Sequence, residues 1–435
     1  RVNGQGAQVT VRGFGPSFNL VTLNGRTLAS SYVQTVGGDE SADGTVGVTR
    51  SFDFSNLASE GVKTLEVYKT GRAAVPSGGI GATINVVTRR PLDSRQSGFN
   101  GTLGGKLNYD TSANDCVDCG SKVTPEITGL ASWSNPDQTF GVSLFGSYQE
   151  RHFSTVSATS NAWNIRTLAD FLNPSNGFVN AATKINNKPS DPNQLVSVPN
   201  DSRYHFSDDK YQRLNGQAIV QFKPTDALTI TADALFARTL QDEQRSDESN
   251  WFNRPFDVVT FDSNKAVATT TYLHETIAGV KDTGFEQQAR AQKNQLEDYG
   301  LNAKWDIAHN FTLTIDGHYG KSSVLPNNSN GTSSTLVGLG ANVITAHSVD
   351  YSGQIPVQDI SISDASIPGG NHNGVLDVND VGSSIGRTYT TSQRQKVKEI
   401  RADFGWDLGG GSRFDFGGLY RDTDTNQQLT STQQT

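Results

Sequence analysis

The sequence predicts an antiparallel β-barrel that crosses a membrane, and three observations carry that prediction. The first is alternation. Leu228, Ile230, Ala232, Ala234 and Phe236 fall on one face of a stretch whose other face holds Thr229, Thr231 and Asp233. From Phe311 to Tyr319 the pattern repeats, with Phe311, Leu313, Ile315, Gly317 and Tyr319 opposite Thr312, Thr314, Asp316 and His318. Side chains alternate across a strand, so each stretch has one apolar and one polar face. The second is loop sorting: tiny turns alternate with long polar connections, as an outer-membrane barrel requires. The third is aromatic placement. Trp133, Phe140, Phe222, Trp305, Phe311, Trp406 and Phe414 lie beside short turns, and Tyr109, Tyr148, Tyr211, Tyr299, Tyr319 and Tyr420 lie towards the long loops. Amphipathic rings prefer both membrane interfaces. The climb from Phe311 to Tyr319 is about 20 Å at ~40° tilt, close to the ~25 Å apolar band.

Taken in order, residues 1–92 form a small α+β unit distinct from the rest. Val9–Phe14 and Leu20–Arg26 read as short strands with Gly-Pro and Asn-Gly turns. A Gly-rich polar loop follows from about Ser30 to Arg50, and Phe52–Leu57 reads as the start of a short helix. Val62–Tyr68 and Ala82–Thr88 are two further strands around the hinge or turn Pro76–Gly81.

From Gly98 nine strands take over, each with its apolar residues directed at lipid. They carry, in order, Phe99, Leu103 and Leu107; Ile127, Ala131 and Trp133; Phe140, Val142 and Leu144; and Leu214, Val220 and Phe222. The Leu228 stretch is fifth, Tyr299, Leu301 and Trp305 mark the sixth, and the Phe311 stretch is seventh. Ile400, Phe404 and Trp406 mark the eighth, and Phe414, Phe416 and Tyr420 the ninth. Short turns fall at Asn135–Gln138, Lys223–Ala227, Ala308–Asn310 and Gly409–Gly411, whereas long loops are expected at about 110–122, 152–209, 241–292 and 324–394. Compact soluble domains rarely carry structureless connections beyond about 12–15 residues.

The bulk numbers agree. The chain has 435 residues, 34% hydrophobic, 44 Gly, no Met and a net charge of −8. No apolar run approaches the ~18 residues of a membrane helix. Missing Met, an opening inside a strand and an end without a closing strand read as an internal piece of a longer protein. The acidic balance argues against nucleic acid, whose binding needs concentrated Lys and Arg. Cys116 and Cys119 stand alone, without the four ligands of a zinc site. A disulfide in an exposed loop is the favoured reading over free thiols or a metal, and it points to an oxidising compartment. Scattered His residues, with no nucleophile motif and only solvated acidic pairs such as Asp208-Asp209, indicate that the chain is not an enzyme. No cofactor motif is present: Gly78-Gly79-Ile80-Gly81 leads into a strand, whereas a phosphate cradle needs a helix.

Three stretches in order carry a family resemblance: Val11–Asn19 with Thr22-Leu-Asn-Gly-Arg26, Leu65–Gly71, and Gly78–Pro91. Together they resemble the plug domain of a TonB-dependent outer-membrane receptor, and Val67–Thr70 with Thr88–Leu92 is similar to its Xanthomonas/Caulobacter-type branch. The resemblance implies part of a 22-stranded barrel, residues 93–435, with the plug, residues 1–92, inside its lumen. It implies the outer membrane of a Gram-negative bacterium, lipid around the wall, and uptake of a scarce small solute energised by TonB and its inner-membrane complex. The TonB box, which precedes the plug in the family, is not in this chain. Arg12 matches the family's plug arginine and is expected to find a carboxylate, and Glu66 matches its Glu-Val position. Gly13, Gly15, Gly25, Gly78, Gly79 and Gly81 are expected to serve tight turns.

The solute class is open between carbohydrate, favoured by the branch, and an iron-siderophore. A passive porin or adhesin-like barrel is the alternative of another class, for which residues 1–92 are surplus. Trp163 and Trp251 are the Trp residues outside the aromatic girdle, and Asp247, Glu248, Asn250, Asn253 and Arg254 are their polar neighbours. Indole stacking with a few hydrogen bonds suits a sugar, although a Trp anchoring its own loop is the simpler reading. Asn371, Asn373, Asp377 and Asp380 partly match calcium-loop spacing, but Gly369 stands where a carboxylate is wanted. An Asx-stabilised turn is the competing explanation.

Overall fold

The computed structural model describes residues 8–31, 33–34, 47–48, 51–71, 73, 75–76, 79–93, 97–160, 162–365, 367 and 370–434. In the N-terminal unit, β1 (Asn19–Leu23) and β2 (Arg26–Thr27) form a hairpin. Its turn, Asn24-Gly25, is left-handed at both residues (φ 52° and 85°), the conformation these two types accept most readily. β3 (Val33–Gln34) pairs with β4 (Gly47–Val48). β5 (Val62–Tyr68) and β6 (Ala82–Thr88) complete a sheet of order β2-β1-β6-β5. β1 and β6 run parallel, and β6 and β5 antiparallel. The strand expected at Val9–Phe14 is a single bridge between Val11 and Phe14. The helix expected at Phe52–Leu57 is one 3-10 turn, Phe54–Asn56, capped by the Asp53 side chain on Ser55.

The wall then begins with β7 (Gly98–Tyr109), β8 (Val123–Ser134) and β9 (Phe140–Thr159). The chain next leaves the wall for β10 (Trp163–Thr167), β11 (Lys184–Asn186) and β12 (Leu195–Pro199). It returns as β13 (Asp201–Thr225) and β14 (Leu228–Trp251). A second excursion holds β15 (Val258–Phe261) and β16 (Val267–Asp282) before β17 (Phe285–Ala308) and β18 (Phe311–Pro326). β19 (Ser334–Gly340) resumes the ladder of β18 between β17 and β22 (Gly382–Gly409), after a third excursion with β20 (Asn342–Asp350) and β21 (Val357–Ile362). β23 (Ser412–Gln434) ends the sheet. Successive wall strands are antiparallel neighbours throughout.

The registers place the apolar set outward. Leu103, Leu144, Leu301, Ile315 and Ile400 are all exposed, at 46% to 84%. Asp233, Asp316 and His318, on the opposite face of their strands, are buried or nearly so.

The long loops need correcting. Expected at 152–209, 241–292 and 324–394, they span 160–200, 252–284 and 327–381, because the strands continue well past the bilayer. A crossing needs only about 9–11 residues, whereas β13 has 25 and β14 has 24. Above Phe236 the outward positions of β14 become Asp242, Gln244, Ser246 and Glu248. With both faces polar, the alternation that marks a strand disappears from the sequence although the ladder persists.

The three excursions also fold together. They build a seven-stranded sheet of order β10-β12-β16-β15-β11, with β20 on β16 and β21 on β20. Phe171, Val196, Val198, Phe256, Val259 and Leu273 are essentially inaccessible in its core. Phe171 meets Phe178 and Phe261 at centroid distances of 5.7 and 5.5 Å. This cap is fastened to the wall by a buried polar chain. Lys281 Nζ donates to Glu275 Oε1 at 2.8 Å and to the Trp251 carbonyl at 2.6 Å, while Glu275 Oε2 accepts the amides of Asn253 and Arg254. Burial pushes the Glu275 carboxyl up, but hydrogen bonds from His347 and Lys281 outweigh it and hold the group below the usual range.

Two outcomes follow from this architecture. Phe256→Ala should remove about 3–5 kcal/mol from the cap core, read as faster hydrogen exchange in β12 and β16 with the wall strands unchanged. Leu301→Arg should destabilise the wall by about 2–4 kcal/mol in urea unfolding from vesicles; an unchanged midpoint would mean that this face does not meet lipid.

Candidate functional site

The seam between the N-terminal unit and the wall centres on one cation. Arg26, at the start of β2, is 1% exposed. Its Nε and Nη2 donate to the two oxygens of Asp316 at 2.7 and 3.1 Å, and its Nη1 reaches Asp233 at 2.7 Å. Asn302 donates to Asp316 Oδ2 at 2.8 Å and so completes that carboxylate's shell. Gly300 stands opposite Asp233 on β14 and His318 on β18. A Cβ at Gly300 would overlap the Arg26 guanidinium, so this glycine is the notch that admits it.

Neutral contacts surround the ion set. His318 Nε2 donates to the Thr27 carbonyl at 3.0 Å, Ser31 Oγ meets Ser322 Oγ at 2.6 Å, and Ser30 N donates to Gln395 at 2.7 Å. Tyr211 donates to Ser55 Oγ at 2.8 Å, and Arg213 donates to the carbonyls of Ser55 and Leu57. Burial pushes the Asp53 carboxyl up, against hydrogen bonds from Ser55. An apolar patch completes the seam, where Val21, Leu23 and Phe52 pack with Leu235, Ala237 and Leu296 of the wall. Breaking a buried ion pair by removing one partner costs about 3–5 kcal/mol, while exchanging the whole set for apolar groups is often neutral. The ion set therefore selects one seating more than it adds net stability.

Arg12 does not do what was expected of it. It is exposed, in a left-handed turn (φ 55°), and donates to the Lys69 carbonyl; among the described residues it has no carboxylate partner. The carboxylate-bound arginine is Arg26, whose place beyond an Asn-Gly turn suggested only hairpin geometry. Glu66 also stays within its own unit: Tyr68 and Asn85 donate to it at 2.9 and 2.8 Å and hold its carboxyl below the usual range. Gly13 and Gly25 adopt left-handed backbone, and a Cβ at Gly79 would strike the Ala82 carbonyl, whereas Gly15 has ordinary φ. A Cβ at Gly81 would meet Asn19 Oδ1; Gly78 lies outside the described residues.

The second region is the cap corner above β13 and β14. Trp163 pairs in register with Pro199, and Trp251 with Asp201, so both indoles sit on segments meeting around Asn200. Both are partly exposed, at 36% and 44%, and Trp163 meets Tyr351 edge-on at 5.5 Å. Arg254 donates to Asn200 Oδ1 at 2.6 Å, and the Asn253 side chain is exposed. Asp247 and Asn250 are buried and Glu248 is half-buried; all are committed to the wall or the cap. Asp247 accepts from His205 at 3.0 Å and Arg245 at 2.9 Å, and Glu248 accepts from Asn250 and Gln358.

Cys116 and Cys119 are joined as a disulfide, and Asp208 accepts the amides of Val117 and Asp118 between them at 2.8 Å. At the candidate calcium loop, Asp377 accepts from the side chains of Asn371 and Asn373, and Asp380 from the amides of Asp377 and Asn371. Gly369 lies outside the described residues.

A family model described as TonB-dependent Receptor Plug Domain matches residues 1–83. No curated protein matches the chain. Similar solved structures include the siderophore receptor PirA from Acinetobacter baumannii, at 10% identity and TM-score 0.34, covering 97% of this chain and 71% of that one. A mutant of the ferric enterobactin receptor PfeA from Pseudomonas aeruginosa has 12% identity and TM-score 0.34, with 98% and 53% covered. The ferric preacinetobactin receptor BauA from Acinetobacter baumannii has 11% identity and TM-score 0.28, with 98% and 54% covered. The chain thus spans about half the length of the last two. The N-terminal unit thus carries the match to a TonB-dependent receptor plug domain and is seated against the antiparallel β wall.

The seam yields a direct test. Gly300→Ala should expel Arg26 and expose the plug to protease while the wall stays folded; protection equal to the unmodified protein would remove Arg26 as the anchor.

Proposed function

We propose that this protein is an active importer that captures a scarce carbohydrate at its extracellular cap and admits it when TonB, driven by its inner-membrane complex, rearranges the plug. The observation that carries the reading is the seated plug, with Arg26 shared between Asp233 and Asp316. A passive porin needs a standing water path, and a domain anchored on buried charge opposes one. The seam suits energised opening: its many hydrogen bonds are individually worth about 0.5–1.5 kcal/mol and can be replaced by water as the plug shifts. The cap then serves capture. Trp163 and Trp251 offer stacking faces beside hydrogen-bonding groups, the usual composition of a site for a hydroxylated ligand.

Uptake of a fluorescent oligosaccharide by cells expressing the receptor should stop when TonB is deleted or a protonophore is added. Trp251→Ala should weaken oligosaccharide binding about tenfold, the equivalent of ~1.4 kcal/mol. Uptake that survives both treatments would make the protein a passive pore. Binding of a ferric siderophore with no binding of any sugar would replace carbohydrate by iron chelate as the cargo.

A further inference from the structure

The cap holds an arrangement of charge that its packing does not require. Arg166 of β10 and Arg254, just beyond β14, both lie over the ring of Phe178, at 4.2 and 4.3 Å from its centroid. Phe178 is 3% exposed. Among the described residues the two guanidiniums make one ion pair, Asp170 lying 3.0 Å from Arg166 Nη1. Arg254 makes no ion pair there: Asn200 Oδ1 holds it, and Glu275 supplies an opposing charge from beside its backbone. The Nε of each arginine is buried without a hydrogen-bond partner. Arg254 also sits in the left-handed region (φ 59°), which non-glycine residues occupy only at a cost. Burial, with the Arg166 charge beside it, pulls Arg254 below its ordinary range.

In a chain of net charge −8, two like charges on one ring with unused donors need an explanation. Guanidinium presents a planar fork that matches a carboxylate, and paired forks bind it with both charge and direction. We infer that Arg166 and Arg254 recognise a carboxylate on the incoming solute, which makes that solute an acidic oligosaccharide of the uronate type. The inference rests on the carbohydrate reading for its sugar part and on the arginine pair for its charge. The geometry joins the two. On β10 Trp163 and Arg166 project to opposite faces, whereas the end of β14 brings Trp251 and then Arg254 to one corner. Asn200 ties the strands by accepting from both Asn164 and Arg254. Trp251 and Arg254 are three residues apart, at most about 11 Å along the chain, within the span of an oligosaccharide stacked on that indole.

The test is calorimetric titration of the detergent-purified receptor with trigalacturonate and with maltotriose, at low and high salt. Trigalacturonate should bind about tenfold or more tighter than maltotriose and lose that advantage at high salt. Arg166→Gln should remove about tenfold of trigalacturonate affinity and leave maltotriose unchanged, and Arg254→Gln should weaken trigalacturonate more than maltotriose. Because Arg254 also contacts Asn200, the Arg166 variant and the salt series on unmodified protein decide the question if Arg254→Gln disturbs the cap. Equal affinity for the two sugars, unaffected by either variant, would overturn the carboxylate inference and leave the carbohydrate reading standing. Binding of ferric citrate but of neither sugar would overturn the carbohydrate reading and the uronate assignment with it.

Discussion

Inside a bilayer no water is present to pair with backbone amides and carbonyls, so each strand must hydrogen-bond to a neighbour along its membrane length. The rest of this structure follows from that constraint. An antiparallel ladder forces successive side chains to opposite faces, and lipid claims one of them. The other face is left to polar residues, among them Asp233, Asp316, His318 and Arg213, all turned towards the plug. Those lumen residues would be a liability without partners. The plug supplies the partners, and the wall in turn fixes where the plug sits.

The seam between them is neither a hydrophobic core nor a row of salt bridges. Its central buried ion set is small, asymmetric and tightly specified, with Arg26 between two carboxylates, an amide and a glycine notch. Neutral hydrogen bonds and a modest apolar patch make up the remainder. An oily seam would hold the plug with a strong contact that gives way only as apolar surface is exposed. A polar seam can exchange its bonds with water one at a time. That difference suits the proposed opening, in which this domain seals a lumen and then rearranges.

Above the membrane the physics changes. The strands continue because antiparallel pairing satisfies the backbone in water as well as in lipid, but no apolar stripe is required of them. The excursions between them then combine three otherwise separate loops around shared aromatics, Phe171, Phe178, Phe256 and Phe261. None of these segments could bury its apolar residues alone. Held together by one another and by β13 and β14, they form a second small β-domain. Lys281, buried with Glu275 and His347, ties it to the wall through the Trp251 carbonyl.

The membrane wall was legible from the primary structure because lipid imposes a strict two-residue rhythm, and that rhythm named the nine strands, their outward faces and their short turns. The plug was legible because Arg-Gly-Phe-Gly, Asn-Gly-Arg and Gly-Gly-Ile-Gly mark tight turns in a recognisable order. Which arginine is anchored was not: Arg12 and Arg26 each follow or precede a glycine turn, and only the seating of the plug shows that Arg26 faces Asp233 and Asp316 while Arg12 faces solvent. The cap was invisible for a related reason. Its strands are short, their periodicity is broken by turns, and their partners lie in other loops, so a chain read residue by residue shows polar connection where three-dimensional pairing makes a sheet. Local rhythm determines an element when its surroundings are uniform, as lipid is; where the surroundings are other parts of the same protein, tertiary structure decides.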